Sequence, residues 1–318
     1  MIQHRAWILA ALMGLMGEGR AGASILINDS EGLATVRSEK GPLLVYAFRH
    51  VPRKPYVMKL YSPDGVNVVR DQVPDHLHHH GLMLAWTVNP VRFWSEEAES
   101  GFEVSTKVEP SDPQHTGPAH DSGLVDTLVW QDARKTETIL HETRTIQAVL
   151  DTDLAVTVVT WTSELKAPSG DANTVLAGDH YHGLGMRFVE SMDRSGTFVT
   201  SNGKEGTVFR GEERLVEADW CAYTALVDDK PVTVAMFDHP ANPRPATWFT
   251  MKTPFAYLSA TMRTHEKPLQ VKMGQPLRIR YGIAVWDGTQ DRSAIQKTYK
   301  KWLASHKEST QSVTGGKP

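Results

Sequence analysis

The sequence predicts an all-β chain: a large β-sandwich with one C-terminal helix. Three observations carry this reading. Apolar and polar residues alternate with period two over much of the chain, turn residues cluster at short intervals, and only one segment has helical spacing. Ser62-Pro63-Asp64-Gly65 is the first turn cluster. Residues 140–150 and 153–162 are rich in Thr and Val and read as paired strands, with Leu150-Asp151-Thr152 as their turn. Ala167-Pro168-Ser169-Gly170-Asp171 and Ser201-Asn202-Gly203 follow as turns, and Asn202-Gly203 predicts a hairpin. Val232, Val234 and Met236 form one apolar row; Leu277, Ile279, Tyr281, Ile283 and Val285 form another. Between Asp291 and His306, Ile295, Tyr299, Trp302 and Leu303 recur at i, i+4, i+7 and i+8, one face of a helix, with Asp291 as its N-cap.

The start of the chain reads as an export signal. His4 and Arg5 precede an apolar run, Ala6–Met16, and Ala21-Gly22-Ala23 offers a small-x-small cleavage site. The run is shorter than the roughly 20 residues that span a bilayer. The expected organisation is a signal peptide over 1–23, one β-sandwich domain over 24–307 and a disordered polar tail over 308–318, with a two-domain all-β chain as the alternative. The protein is therefore expected in the periplasm or outside the cell, with no membrane span in the mature chain. A formal net charge of −3 gives no sign of a nucleic-acid partner. The single cysteine, Cys221, cannot form an intramolecular disulfide and reads as a buried small residue. Among nine tryptophans, Trp94, Trp130, Trp220, Trp248 and Trp286 sit among polar residues; exposed, they would stack on sugar rings, and buried, they would join the core.

Chemistry concentrates in three blocks. Four of fourteen histidines fall within five positions, in Asp75-His76-Leu77-His78-His79-His80-Gly81. On an extended strand His76, His78 and His80 would share one side, about 6.6 Å apart, close enough for imidazoles to share a metal. Imidazole is also the side chain most easily tuned for proton transfer near neutral pH. The second block is Asp179-His180-Tyr181-His182-Gly183, with His180 and His182 on one strand face. The third runs from Phe237 to Trp248 and includes Asp238, His239, Asn242 and Arg244; its three prolines predict a rigid loop at a strand end. That loop is either a binding element, with Arg244 clamping oxygens and Trp248 stacking on a sugar, or a structural corner. The Pro-, Gly- and His-rich stretch Pro110–Gly123 reads as a long surface loop. Nucleophile-elbow, phosphate-loop, dinucleotide and zinc-helix motifs are missing, so no nucleotide cofactor is expected.

Together these blocks resemble exported bacterial proteins labelled "PmoA family", after methane oxygenase, over about Pro55 to Trp302. The family's Asp-His-Pro-His-His-Arg block, followed by Phe-Trp, stands here as Asp75–His80 with Phe93-Trp94 downstream. Its Phe-Asp-His-Pro-x-Asn-Pro-Arg block matches Phe237–Arg244. The chain departs in lacking two histidines after Arg244 and in carrying His180 and His182 where the family commonly has Thr-Lys-Glu. The oxygenase label does not give a function, because a membrane oxygenase subunit needs several spanning helices. The resemblance implies a supersandwich of the galactose-mutarotase type and relatives in glycan-degrading bacteria. The expected function is an exported carbohydrate-active enzyme, a lyase, hydratase or hydrolase on a sugar, keto-sugar or oligosaccharide. Asp75, His76, His79, Asp238 and His239 are the expected catalytic groups. His78, His79 and His239 are the expected ligands of one divalent metal ion. Trp94, His180, His182, Asn242, Arg244 and Trp248 are expected to hold substrate. The alternatives are a non-catalytic glycan-binding sandwich, a mutarotase- or epimerase-like enzyme, and a metal-sequestering envelope protein.

Overall fold

A computed structural model describes residues 23–71, 73–111, 122–168 and 173–306. The expected signal peptide, the C-terminal tail and most of the loop between Pro110 and Gly123 lie outside these residues. Among the described residues, no helix is long and apolar enough to cross a membrane.

The described chain is mostly strand, in sheets of ten, eight and four strands, followed by the single α-helix Arg292–Ser305. The predicted hairpin is present: Thr138–Asp151 pairs with Val156–Lys166 in register Asp151↔Val156, so the turn falls at 152–155, slightly later than expected. Leu277–Asp287 and Lys230–Asp238 pair in the same eight-stranded sheet. The Ser62–Gly65 turn closes with the Gly65 N–H on the Ser62 carbonyl at 3.0 Å. Asn202-Gly203 makes a turn but not a hairpin. Thr197–Thr200 belongs to the eight-stranded sheet and Thr207–Arg210 to the ten-stranded one, so this turn carries the chain between sheets.

The main core fills the space between the two large sheets. Arg144 lies fully buried there among Glu103, Glu142 and the Tyr46 hydroxyl, with bonds of 2.9, 2.8 and 3.2 Å. Burial raises the Glu103 carboxyl to about 8 and that of Asp126, bonded to Tyr46, to about 6. A second core lies on the other face of the eight-stranded sheet. Ile295, Tyr299 and Trp302 of the helix pack there on Trp220, Phe237, Ala284 and Trp286. The Asp291 carboxylate accepts the Ala294 N–H at 2.8 Å, capping the helix as predicted. Cys221 is buried, and burial pushes its thiol up.

In the ten-stranded sheet, Leu82–Ala85, Gly183–Arg187, Tyr257–Thr261 and Thr247–Met251 are consecutive neighbours. Phe188 turns inward onto Tyr223 of the eight-stranded sheet, with ring centroids 5.1 Å apart. Its neighbour Arg187 therefore points outward. Phe249, Met251 and Tyr257 share the outward side, and on it lies a pocket.

Candidate active site

Two histidine blocks meet over this outer face. Asp75–Gly81 enters the strand Leu82–Ala85, and Asp179–His182 enters its partner Gly183–Arg187. The first block is not extended. The His76 N–H bonds the Val73 carbonyl and the His79 N–H bonds the His76 carbonyl, each at 2.9 Å, so the chain folds into successive tight turns. The predicted alternation of sides is lost. His76, His78 and His79 all line the pocket, while His80 turns into the protein.

His80 is held on both nitrogens, Nδ1 by Asp71 and Nε2 by Glu96, the latter at 2.7 Å. Tyr56 stacks on its ring, and buried Lys54 bonds Glu96 at 2.8 Å. Burial opposes charge on His80, but the bonds to Asp71 and Glu96 outweigh it and raise its pKa. The same contacts depress the Glu96 carboxyl to about 2 against its desolvation. This ionic cluster anchors the histidine turn from below.

The pocket has a volume of about 230 Å³. That is below the roughly 300–1,000 Å³ typical of drug-sized ligands. It is room for one small ring. The parallel rings of His76 and His79 are stacked at 4.6 Å, and His78 stands edge-on to both. Burial pushes the pKa of His78 down to about 4 and that of His79 lower still, with neighbouring histidines adding to the effect. Both are neutral near pH 7. Arg187 Nη1 lies 3.4 Å from His79 Nδ1. An arginine can only donate, so Nδ1 accepts and the ring proton sits on Nε2. Asp75 lies 3.1 Å from His76 Nδ1 and 3.6 Å from Arg187. Arg187 also stacks its guanidinium on Phe255 at 3.5 Å.

The sheet and the second block supply the remaining walls. Tyr257 lies against His79, centroids 5.1 Å apart, and its buried hydroxyl makes no hydrogen bond. Burial raises its pKa well above the ordinary phenol value, so it stays protonated. Tyr181 lines the pocket from the second block. Beside it, His182 stacks on Trp94 at 4.7 Å, with its pKa lowered to about 3 by burial. His180 goes the other way, bonding Glu213 through Nε2 at 2.9 Å. Glu213 also holds Arg210 at 2.8 Å, and both line the pocket mouth.

The third block is not part of this pocket; its residues build the corner under the helix. Asp238 accepts the Ala246 N–H at 2.8 Å and the Asn242 amide at 2.7 Å. Asn242 in turn pairs with both backbone groups of Arg280. Arg244 donates to the carbonyls of Met262, Lys267 and Pro268. His239 packs edge-on against Trp302. Trp248 is fully buried and donates to the Ala218 carbonyl. The predicted metal trio is therefore not assembled: His78 and His79 line the pocket, while His239 packs against Trp302 on the helix side. Among the described residues, no three His, Cys, Asp or Glu side chains are grouped to hold a metal ion. Of the two tryptophans expected to hold substrate, Trp94 lines the pocket although largely buried, and Trp248 is buried away from it; Trp130, Trp220 and Trp286 belong to the core.

No sequence pattern marks Arg187, Tyr257, Phe249 or Phe255. They read as ordinary strand and turn residues, and only the sheet order brings them to the histidines.

A model described as a family of unknown function (DUF6807) matches residues 34–300. No curated protein matches in sequence. Among solved structures, the glycoside hydrolase family 36 α-galactosidase AgaB from Geobacillus stearothermophilus is similar at 10% identity and a TM-score of 0.52, over 87% of this chain and 42% of that one. The α-galactosidase from Lactobacillus brevis is similar at 5% identity and a TM-score of 0.46, over 88% and 42%. The first of these shows a shared fold, and this chain spans well under half of that enzyme's length. None of these matches bears the methane-oxygenase label suggested by the motifs.

Proposed function

The chain belongs to DUF6807, a family of unknown function, and we propose that its pocket takes one sugar unit and moves a proton at a carbon beside a carbonyl. This is the first step of a lyase or hydratase acting on an oxidised sugar. One observation carries the reading: three imidazoles, His76, His78 and His79, line a small pocket with Tyr257, whose buried hydroxyl makes no hydrogen bond. A neutral imidazole can accept a proton, and a phenol held protonated can hydrogen-bond the oxygen that gains charge as the enolate forms. The β-position substituent then leaves, or the proton returns. Glycoside hydrolysis normally uses two carboxyl groups about 5–10 Å apart. The carboxylate lining this pocket is Glu213, already engaged by His180 and Arg210. The likeness of fold to an α-galactosidase supports a sugar ligand.

The test is incubation in D₂O with 3-keto-glycosides and uronic acid glycosides, followed by NMR of the carbon beside the carbonyl. The wild type is expected to exchange or eliminate there. His79→Ala and Tyr257→Phe should each slow the reaction by about a hundredfold or more. Release of a free sugar by hydrolysis, without carbon-bound exchange, would overturn the proposal, as would full activity in both variants.

A further inference from the structure

We propose that Phe209 is the floor of a second sugar subsite, so that the substrate is an oligosaccharide whose reacting unit sits in the pocket and whose next unit lies on Phe209. This rests on the sugar reading of the pocket. Phe209 is on the edge strand Thr207–Arg210 and is 48% exposed, while the described tryptophans are buried. One face of its ring is covered: His180 stacks on it at 3.7 Å with the planes 22° apart. The other face is open.

The backing is rigid. His180 is fixed by Glu213, and Glu213 is fixed to Arg210, the residue next to Phe209. Glu213, Arg210 and Tyr181 all line the pocket, so the platform continues its mouth without a break. The Arg210 side chain, bonded to Glu213, is 72% exposed beside Phe209, and His265 stands edge-on to the ring at 6.1 Å. An aromatic face with an exposed polar side chain beside it is the arrangement that takes the apolar face of a pyranose and one of its hydroxyls. A wide apolar partner surface would not need that polar edge.

The test compares binding of methyl hexosides with binding of the matching di- and trisaccharides, by calorimetry on the whole chain. The wild type should bind the longer sugars more tightly, and Phe209→Ala should remove about a five- to tenfold advantage while leaving the methyl hexosides unchanged. Phe209→Trp should restore it, which separates a stacking role from loss of support for His180. Equal affinity for short and long sugars in the wild type, or equal weakening of both by Phe209→Ala, overturns the subsite and leaves the pocket reading standing. If no saccharide binds, or if His79→Ala leaves the methyl hexosides unaffected, the pocket reading itself fails. If Phe209 instead mediates pairing of two copies, wild type will dimerise with rising concentration in sedimentation and Phe209→Ala will not, and the proposal is wrong.

Discussion

Tyr257 lies across its neighbouring strand because position 185 is a glycine. A Cβ built there would come 2.0 Å from the phenol oxygen and 2.8 Å from the carbon bearing it. Tyr257 is buried and cannot swing aside, so the methyl group and the phenol compete for one space. A similar constraint holds at Gly178, with φ near +138° and its notional Cβ 1.9 Å from His182 Nδ1. We expect Gly185→Ala to fold with a loss of about 1–3 kcal/mol, the usual cost of overpacking. It should lose pocket activity as severely as Tyr257→Phe does. Denaturant titration and the D₂O assay together check this; a Gly185→Ala protein with normal turnover would show that the phenol is a bystander.

The elements show how far sequence alone reached. The strand rows at 232–236 and 277–285, the hairpin near 151 and the capped helix were legible because each follows from local periodicity and turn chemistry. The histidine turn was legible as chemistry, while its alternation of sides was read for an extended strand and the backbone there is turned. Nothing in Asp75–His80 says that its backbone closes on itself, and those closures decide that His79 joins His76 while His80 is sequestered by Asp71 and Glu96. The Asp238–Arg244 loop misled for a physical reason: an Asp, an Asn and an Arg that bond backbone groups look, in sequence, like ones that bond a ligand. At this scale the corner and the pocket can be separated. Trp302→Ala removes a side chain packed on Phe237 and His239 and should cost about 3–5 kcal/mol. Arg244→Ala should likewise lower stability by releasing three carbonyls. Neither should change sugar affinity in protein that remains folded. A selective loss of affinity in Arg244→Ala at unchanged melting temperature would return that loop to the binding site.

Across the whole molecule, two sets of buried groups pull the pH dependence of stability in opposite directions. His78, His79 and His182 have pKa values pressed below the ordinary 6.5, to about 4 for His78 and about 3 for His182. The unfolded chain therefore binds more protons at these sites, and their contribution is lost as pH falls from 6.5 through the folded values. Glu103, Asp126 and Asp238 are shifted the other way by burial, to about 8, 6 and 6. There the folded chain binds more protons, and stability is lost as pH rises through those values. His80, raised by Asp71 and Glu96, acts in the same sense as the carboxyls. Between about pH 4 and 6.5 the two sets nearly cancel. Below that window Glu103, Asp126 and Asp238 are protonated in both states, and the histidines dominate together with Glu96, whose carboxyl is held at about 2; above it the histidines are neutral in both states, and Glu103 and His80 dominate. The expected curve is a plateau over about pH 4–6.5 with a fall of about 1 kcal/mol per pH unit on each side. Glu103→Gln, which mimics the protonated carboxyl, should lessen the alkaline fall to the share that His80 contributes and leave the acid side alone. Urea titrations at pH 3.5, 5, 6 and 8 test it, and stability that climbs steadily to pH 8 in the wild type would mean that Glu103 is ionised beside Arg144 rather than held neutral.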